Sequence, residues 1–138
     1  MDLTQYVRDI PDFPQEGIVF KDITPLLSNP SAFRFVTDTF STHYSDKKID
    51  AIVGIDARGF IFASALAYRM GVGFIPVRKP GKLPYKTIEE QYDLEYGSNT
   101  LAIHEDAVNP GVNVIICDDV IATGGTLTAT INLVEKLG

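Results

Sequence analysis

The sequence predicts an α/β fold, an open and mainly parallel sheet flanked by helices, and three observations predict it. Residues Ala51 to Ile55, Phe74 to Val77 and Val112 to Cys117 are short continuous apolar runs, as expected of strands covered on both faces. Helical stretches follow the first and last of these runs: Gly59 to Met70, closed by Gly71, and Thr126 to Leu137. The strand runs end in Asp56-Ala57-Arg58-Gly59, in Arg78-Lys79 and in Asp118-Asp119. Strand–helix–strand alternation with burial on two faces implies parallel strands joined by right-handed crossovers. In such sheets ligands lie at the carboxyl ends of the strands, so all three runs deliver polar chemistry to one edge.

The remaining elements follow from local signals. Leu3, Tyr6, Val7 and Ile10 repeat at helical spacing, which predicts a short amphipathic helix ended by Pro11. Pro11 to Pro25 holds three prolines and Gly17 around Val19 and Phe20, and is expected to be irregular with one exposed aromatic anchor. Asn29-Pro30 reads as a cap and first helical residue, with Phe33, Val36, Phe40 and Tyr44 as one face of the helix that follows. Alternation of Tyr92, Leu94 and Tyr96, then of Leu101 and Ile103, around Gly97-Ser98 predicts a hairpin, and Asn109-Pro110-Gly111 predicts a turn.

At 138 residues the chain is expected to be a single domain, 1–138, with enough apolar content for a core. A net charge of −6 argues against a general nucleic-acid binder, because affinity for a polyanion comes from Lys and Arg. Any phosphate must therefore be held locally. Arg78, Lys79, Lys82 and Lys86 concentrate positive charge within nine positions, and their place at a strand end favours a functional role over a solvated loop. Cys117 is the only cysteine, which excludes a disulfide framework and a Cys-rich metal site and suits a buried inert thiol. No apolar stretch approaches the ~20 residues of a membrane helix and no signal segment opens the chain, so the expectation is a soluble, cytoplasmic protein without a membrane partner.

The run Val114 to Thr126 carries the most chemistry: an apolar strand, two acids, then a glycine–threonine turn that opens a helix. A helix N-terminus offers unpaired N–H groups and partial positive charge, Gly124 and Gly125 let the backbone approach an anion, and the Thr123 and Thr126 hydroxyls can wrap it. Asp118 and Asp119 would repel a phosphate in the same pocket but suit neutral hydroxyls, so the expected ligand is a sugar phosphate. Other readings fail on spacing. The Gly-x-x-x-x-Gly-Lys-[Ser/Thr] loop is absent, Gly71-Val72-Gly73 follows a helix and lacks a third glycine, and position 108 is Val where His104-Glu105 would need a second metal ligand. His43 and His104 are read as ordinary residues.

The strand-Asp-Asp-Val-Ile-Ala-Thr-Gly-Gly-Thr-helix run resembles the diphosphoribose-binding signature of the type I phosphoribosyltransferases. Asp12-Phe13-Pro14, Gly17-Ile18-Val19-Phe20-Lys21-Asp22, Gly54-Ile55-Asp56-Ala57-Arg58-Gly59-Phe60, Arg78 to Pro84 and Leu94-Glu95-Tyr96-Gly97 are similar to the motifs of the adenine-specific branch, in order and over essentially all the residues present. The resemblance implies a base-binding hood over about residues 1–30 and a flexible flap or hairpin over about 78–105. It implies that Asp118 and Asp119 hold the ribose hydroxyls and Ala122, Thr123, Gly124, Gly125 and Thr126 the 5-phosphate. Pyrophosphate would meet Ala57, Arg58 and Gly59, together with Arg78, Lys79 and Lys82. Phe20 would stack on adenine, with the backbone of Val19 and Lys21 reading its edge; the family often has Arg where this chain has Lys21.

The implied reaction is magnesium-dependent transfer of phosphoribose from 5-phosphoribosyl 1-diphosphate to adenine, giving AMP and pyrophosphate. The transition state needs charge stabilisation and alignment more than a protein nucleophile. Mg2+ would be bound mainly through substrate oxygens and water, with no firm protein ligand. Glu95 is the candidate to exchange a proton with the purine and Tyr96 to close the flap against water. Two alternatives stay open, a different base and a noncatalytic ligand sensor. The resemblance also implies a homodimer and a C-terminal segment beyond the helix that ends near Gly138.

Overall fold

The computed structural model describes residues 1–93, 97–121 and 124–138, which divide into two compact units, Met1–His43 and Tyr44–Gly138. In the first unit a 3-10 turn, Leu3–Tyr6, is capped by the Asp2 carboxylate, which accepts the Thr4 N–H at 3.0 Å. The expected helix does not continue. Val7 is already extended, and β1, Arg8–Ile10, pairs antiparallel with β2, Phe20–Asp22, placing Arg8 opposite Asp22 and Asp9 opposite Lys21. So short a segment is a poor isolated helix, whereas both facing pairs carry opposite charge.

The stretch expected to be irregular therefore contains β2 and the first two residues of α1, Thr24–Ser28. Between the strands Gly17, at φ +86°, donates its N–H to Asp12 Oδ1 at 2.9 Å, and the Phe13–Pro14 peptide is cis. Phe13, Ile18 and Val19 are exposed apolar side chains here, while Phe20 is half-buried edge-on against Phe13. The second helix, α2, Pro30–His43, begins as predicted, with Asn29 Oδ1 accepting the Ala32 N–H at 3.0 Å. Its fully buried residues are Ala32 and Thr37, and Phe40 is exposed, so the buried stripe is rotated from the expected aromatic face. Helix α1 packs against α2, a contact that aromatic spacing alone does not reveal.

The second unit is built on a three-stranded parallel sheet. Its order is β4, Gly73–Val77, then β3, Ala51–Ile55, then β7, Val114–Cys117. All five residues of the central β3 are buried, as its unbroken apolar run predicted. Helix α3, Arg58–Met70, covers this sheet through Phe62, Ala63, Leu66 and Ala67, spaced as one helical face. Close approach requires Gly54, where a Cβ would sit 2.6 Å from the Ala63 Cβ and 3.1 Å from the Phe74 ring. Gly71 ends α3 in the left-handed conformation at φ +72°.

Between β4 and β7 the chain makes an antiparallel hairpin of β5, Thr87–Asp93, and β6, Ser98–His104. It starts earlier than the alternating tyrosines suggested. Leu101, Ala102 and Ile103 are buried consecutively, because Arg78 and Ala102 exchange both backbone hydrogen bonds at the end of β4. Leu101 and Ile103 join Val53, Ile55, Val77, Ala129 and Leu133 in one core. The last helix, α4, Gly125–Lys136, lies on that core and is clamped to β5, with Asn132 and Lys136 donating to the Glu90 carboxylate at 2.9 and 2.6 Å. No helix among the described residues is long and apolar enough to cross a membrane.

The clamp makes a testable contribution to acid stability. Hydrogen bonds from Lys136, then Asn132, hold the Glu90 pKa below its ordinary 4.5. A carboxyl lowered on folding stabilises above its unfolded pKa, and that contribution disappears as pH falls through the lower folded value. Glu90→Gln should therefore lower the melting temperature at pH 7 but narrow its difference from wild type below pH 4, as read by thermal melts across that range. A constant difference at all pH values would exclude the charged clamp.

Candidate active site

The carboxyl ends of β3 and β7, the segment after β4, the hairpin and the start of α4 enclose a cavity of about 620 Å³, within the range of small-ligand sites. Its lining is divided by charge. Asp56, Asp118 and Asp119 supply carboxylates, Arg58, Lys79 and Lys82 supply cations, and Tyr92, Asn99 and Thr126 supply neutral polar groups.

The acid pair is built by the end of β7. Asp118 Oδ1 accepts the Asp119 N–H at 2.8 Å. Burial, followed by the carboxyl of Asp119, pushes the Asp118 pKa up to about 7 despite the opposing charge of Arg58. Arg58 Nε lies 2.6 Å from Asp119 Oδ2, an ion pair. Asp119 Oδ2 is a buried oxygen that accepts no hydrogen bond among the described residues. Asp118 and Asp119 both line the cavity, and carboxylates there suit donors such as hydroxyls.

The loop after β3 reaches this pair by a close approach of backbones. Helix α3 starts at Arg58, and a Cβ on Gly59 would lie 2.9 Å from Asp118 Oδ1 and 3.0 Å from the Cys117 carbonyl oxygen. The Asp56–Ala57 peptide is cis. Arg78 is turned onto Asp56, Nε to Oδ2 at 2.9 Å, and its guanidinium also donates to the Lys82 carbonyl and lies over the Phe60 ring. Lys79 and Lys82 face the cavity, whereas Arg78 is not among the residues lining it.

Helix α4 begins at Gly125, with Gly124 at φ +86° before it. Thr126 reaches the cavity, and its hydroxyl is hydrogen-bonded to the Tyr92 hydroxyl at 3.2 Å. Burial, then the charges of Asp118 and Asp119, pushes the Cys117 thiol up to about 11, so it is protonated and inert at neutral pH.

Of the residues singled out in the sequence, Ala57, Arg58, Lys79, Lys82, Asp118, Asp119 and Thr126 line one cavity, with Gly59 packed against Asp118 and Gly124 and Gly125 at the helix start. Val19, Phe20 and Lys21 belong to the other unit; there Lys21 pairs with Asp9 across the β1–β2 ladder. Ala122, Thr123, Glu95 and Tyr96 lie outside the described residues. Sequence reasoning assigned no site role to Asp56, Tyr92 or Asn99, all of which line the cavity. Tyr92 and Asn99 face each other in the hairpin register, and only that register, with α4 docked on it, brings them to the strand ends.

Residues 22–138 match the model of the phosphoribosyl transferase domain. The chain belongs to the phosphoribosyl transferase family. Among relatives, an adenine phosphoribosyltransferase of Thermotoga sp. (strain RQ2) is 59% identical over all 138 residues, which cover 81% of the relative's length. Solved phosphoribosyltransferase structures agree in fold. The adenine phosphoribosyltransferase of Thermoanaerobacter pseudethanolicus superimposes with a TM-score of 0.95 at 51% identity, covering 99% of this chain and 79% of that one. That of Saccharomyces cerevisiae, solved with an imino-altritol bisphosphate and adenine, gives 0.92 at 46% identity, covering 98% and 79%. The phosphoribosyl transferase fold thus accounts for the parallel sheet and for the cavity at its carboxyl edge.

Proposed function

We propose that this chain transfers the phosphoribosyl group of 5-phosphoribosyl 1-diphosphate to N9 of adenine, giving AMP and pyrophosphate. The observation that carries the reading is the mixed lining of a single cavity: the half-buried acids Asp118 and Asp119, the cations Arg58, Lys79 and Lys82, and the first turn of α4. A ribose bearing a phosphate at one end and a diphosphate at the other matches that combination of groups. The names of the relatives support adenine as the base.

Asp118 and Asp119 accept hydrogen bonds from the ribose hydroxyls. Thr126, with Ala122, Thr123, Gly124 and Gly125, holds the 5-phosphate at the positive end of α4. Ala57, Arg58 and Gly59, with Lys79 and Lys82, hold the diphosphate, and Arg78 joins them by exchanging Asp56 for it. Phe20 stacks on adenine while the backbone of Val19 and Lys21 reads its edge.

As the bond from C1 to the diphosphate oxygen breaks, its electron pair leaves with pyrophosphate and the N9 lone pair closes on C1. Cations already placed around the leaving oxygens lower that barrier without reorganising. Glu95 takes the N9 proton and Tyr96 helps exclude water. Among the described residues no group of three or more His, Cys, Asp or Glu could hold a metal by itself. The carboxylates lining the cavity, Asp56, Asp118 and Asp119, fit a magnesium ion carried in on donor oxygens and water. Bound there, it would neutralise charge on the leaving diphosphate. The family resemblance supports a homodimer acting in the cytoplasm.

A pyrophosphate-release assay with donor, magnesium and one base at a time tests the reading. Release is expected with adenine and not with hypoxanthine, guanine or orotate. Donor binding without release for any base would favour a ligand sensor, and release with another base alone would reject adenine.

A further inference from the structure

We propose that Tyr92 is a positioning residue for the phosphate end of the site, holding the Thr126 hydroxyl in place and freeing its proton for a phosphate oxygen. The inference rests on the reading above that an anion sits at the start of α4. Three observations carry it. Both side chains line the cavity, and their hydroxyls are 3.2 Å apart. The Tyr92 ring lies over the first turn of α4, so close that a Cβ on Gly125 would be 3.3 Å from its Cδ2. Glu90, two residues back and so on the same face of β5, is bonded to Asn132 and Lys136 further along α4. One face of β5 therefore runs along the helix from its C-terminal half to its N-terminus and fixes where the Tyr92 hydroxyl falls.

The hydrogen-bond inventory gives that placement a role. A hydroxyl has one proton and rotates to suit its partners, so the Thr126 and Tyr92 hydroxyls, 3.2 Å apart, can share a hydrogen bond in either sense. A phosphate oxygen only accepts, so Thr126 must turn its O–H to the ligand. The Tyr92 O–H then rotates to donate to Thr126 Oγ1, over the same 3.2 Å and with no proton transferred. Two hydrogen bonds in series polarise each other, so Thr126 becomes the stronger donor.

Calorimetric titration with ribose 5-phosphate of wild type, Tyr92→Phe, Thr126→Val and the double variant tests this. Loss of the Tyr92 hydroxyl should weaken binding about 3- to 10-fold, in line with a single supporting hydrogen bond. The double variant should bind no more weakly than Thr126→Val alone, because Tyr92 acts through Thr126. In turnover, Tyr92→Phe should raise the KM for the diphosphate donor and leave that for adenine unchanged, a split that general loosening of the fold would not produce. Wild-type affinity in Tyr92→Phe, or losses that multiply in the double variant, would overturn the proposal while leaving the phosphate site intact. Unchanged affinity in Thr126→Val would overturn the phosphate placement and this inference with it.

Discussion

Replacing Asp118 and Asp119 together by Asn should weaken binding of phosphoribosyl diphosphate about 100-fold or more while leaving the chain folded. Each carboxylate is assigned a hydrogen bond to a ribose hydroxyl, and a bond to a charged group contributes roughly 1.5–3 kcal/mol, so losing two exceeds the ~2.8 kcal/mol that corresponds to 100-fold. Stability should move the other way. Burial and the neighbouring acid raise the Asp118 pKa from 3.8 to about 7. The unfolded chain therefore binds fewer protons than the folded one between those values, and stability falls as pH rises through that window. Asp118→Asn removes this penalty, so at pH 8 it should melt no lower than wild type and yet bind the donor poorly. A variant that melts much earlier, or that keeps donor affinity, would remove the acid pair from the ribose site.

Gly59→Ala should destabilise the chain by about 1–3 kcal/mol, a fall of roughly 3–15 °C in melting temperature for a domain of this size. The added Cβ meets a side-chain carboxylate oxygen at 2.9 Å and, less able to give way, the backbone Cys117 carbonyl oxygen at 3.0 Å and the Asp118 Cα at 3.2 Å. Relief requires α3 and the end of β7 to part, which moves Asp118 and should also lower donor affinity. Gly73→Ala is the matched control, since a Cβ there meets nothing within 4 Å and no positive φ is involved. Differential scanning calorimetry on both variants should separate them clearly; equal melting temperatures would mean that the approach at Gly59 is not tight.

Much of the sheet was legible because its signals are local. The run Ala51–Ile55 is apolar throughout and became a strand buried on both faces, and Asn29-Pro30 and Gly71 marked a helix start and a helix end. Polar residues at three strand ends pointed to one edge because parallel topology leaves few other arrangements. Where partners are distant in sequence the signals failed. The helical spacing of Leu3 to Ile10 gave way to pairing with Phe20–Asp22, and while Leu101 to Ile103 do form one half of a hairpin as read, the further bridge from Ala102 to Arg78 left no local sign.

The site divided in the same way. Asp118, Asp119 and the glycine–threonine turn are contiguous and visible in the sequence. Arg78 stood in the basic run like its neighbours, but its pairing with Asp56 depends on a contact across 22 positions. Tyr92 looked like one more residue of an alternating strand, and its tie to Thr126 spans 34.

The most direct test of the account compares ribose 5-phosphate with 2-deoxyribose 5-phosphate by calorimetric titration of wild type and the Asp118→Asn, Asp119→Asn double variant. If the acid pair grips the sugar hydroxyls beside a phosphate held by α4, the deoxy sugar should bind wild type about 10-fold more weakly, and the two sugars should bind the double variant alike. Equal affinity for both sugars in wild type, or a difference that survives loss of both carboxylates, would contradict it.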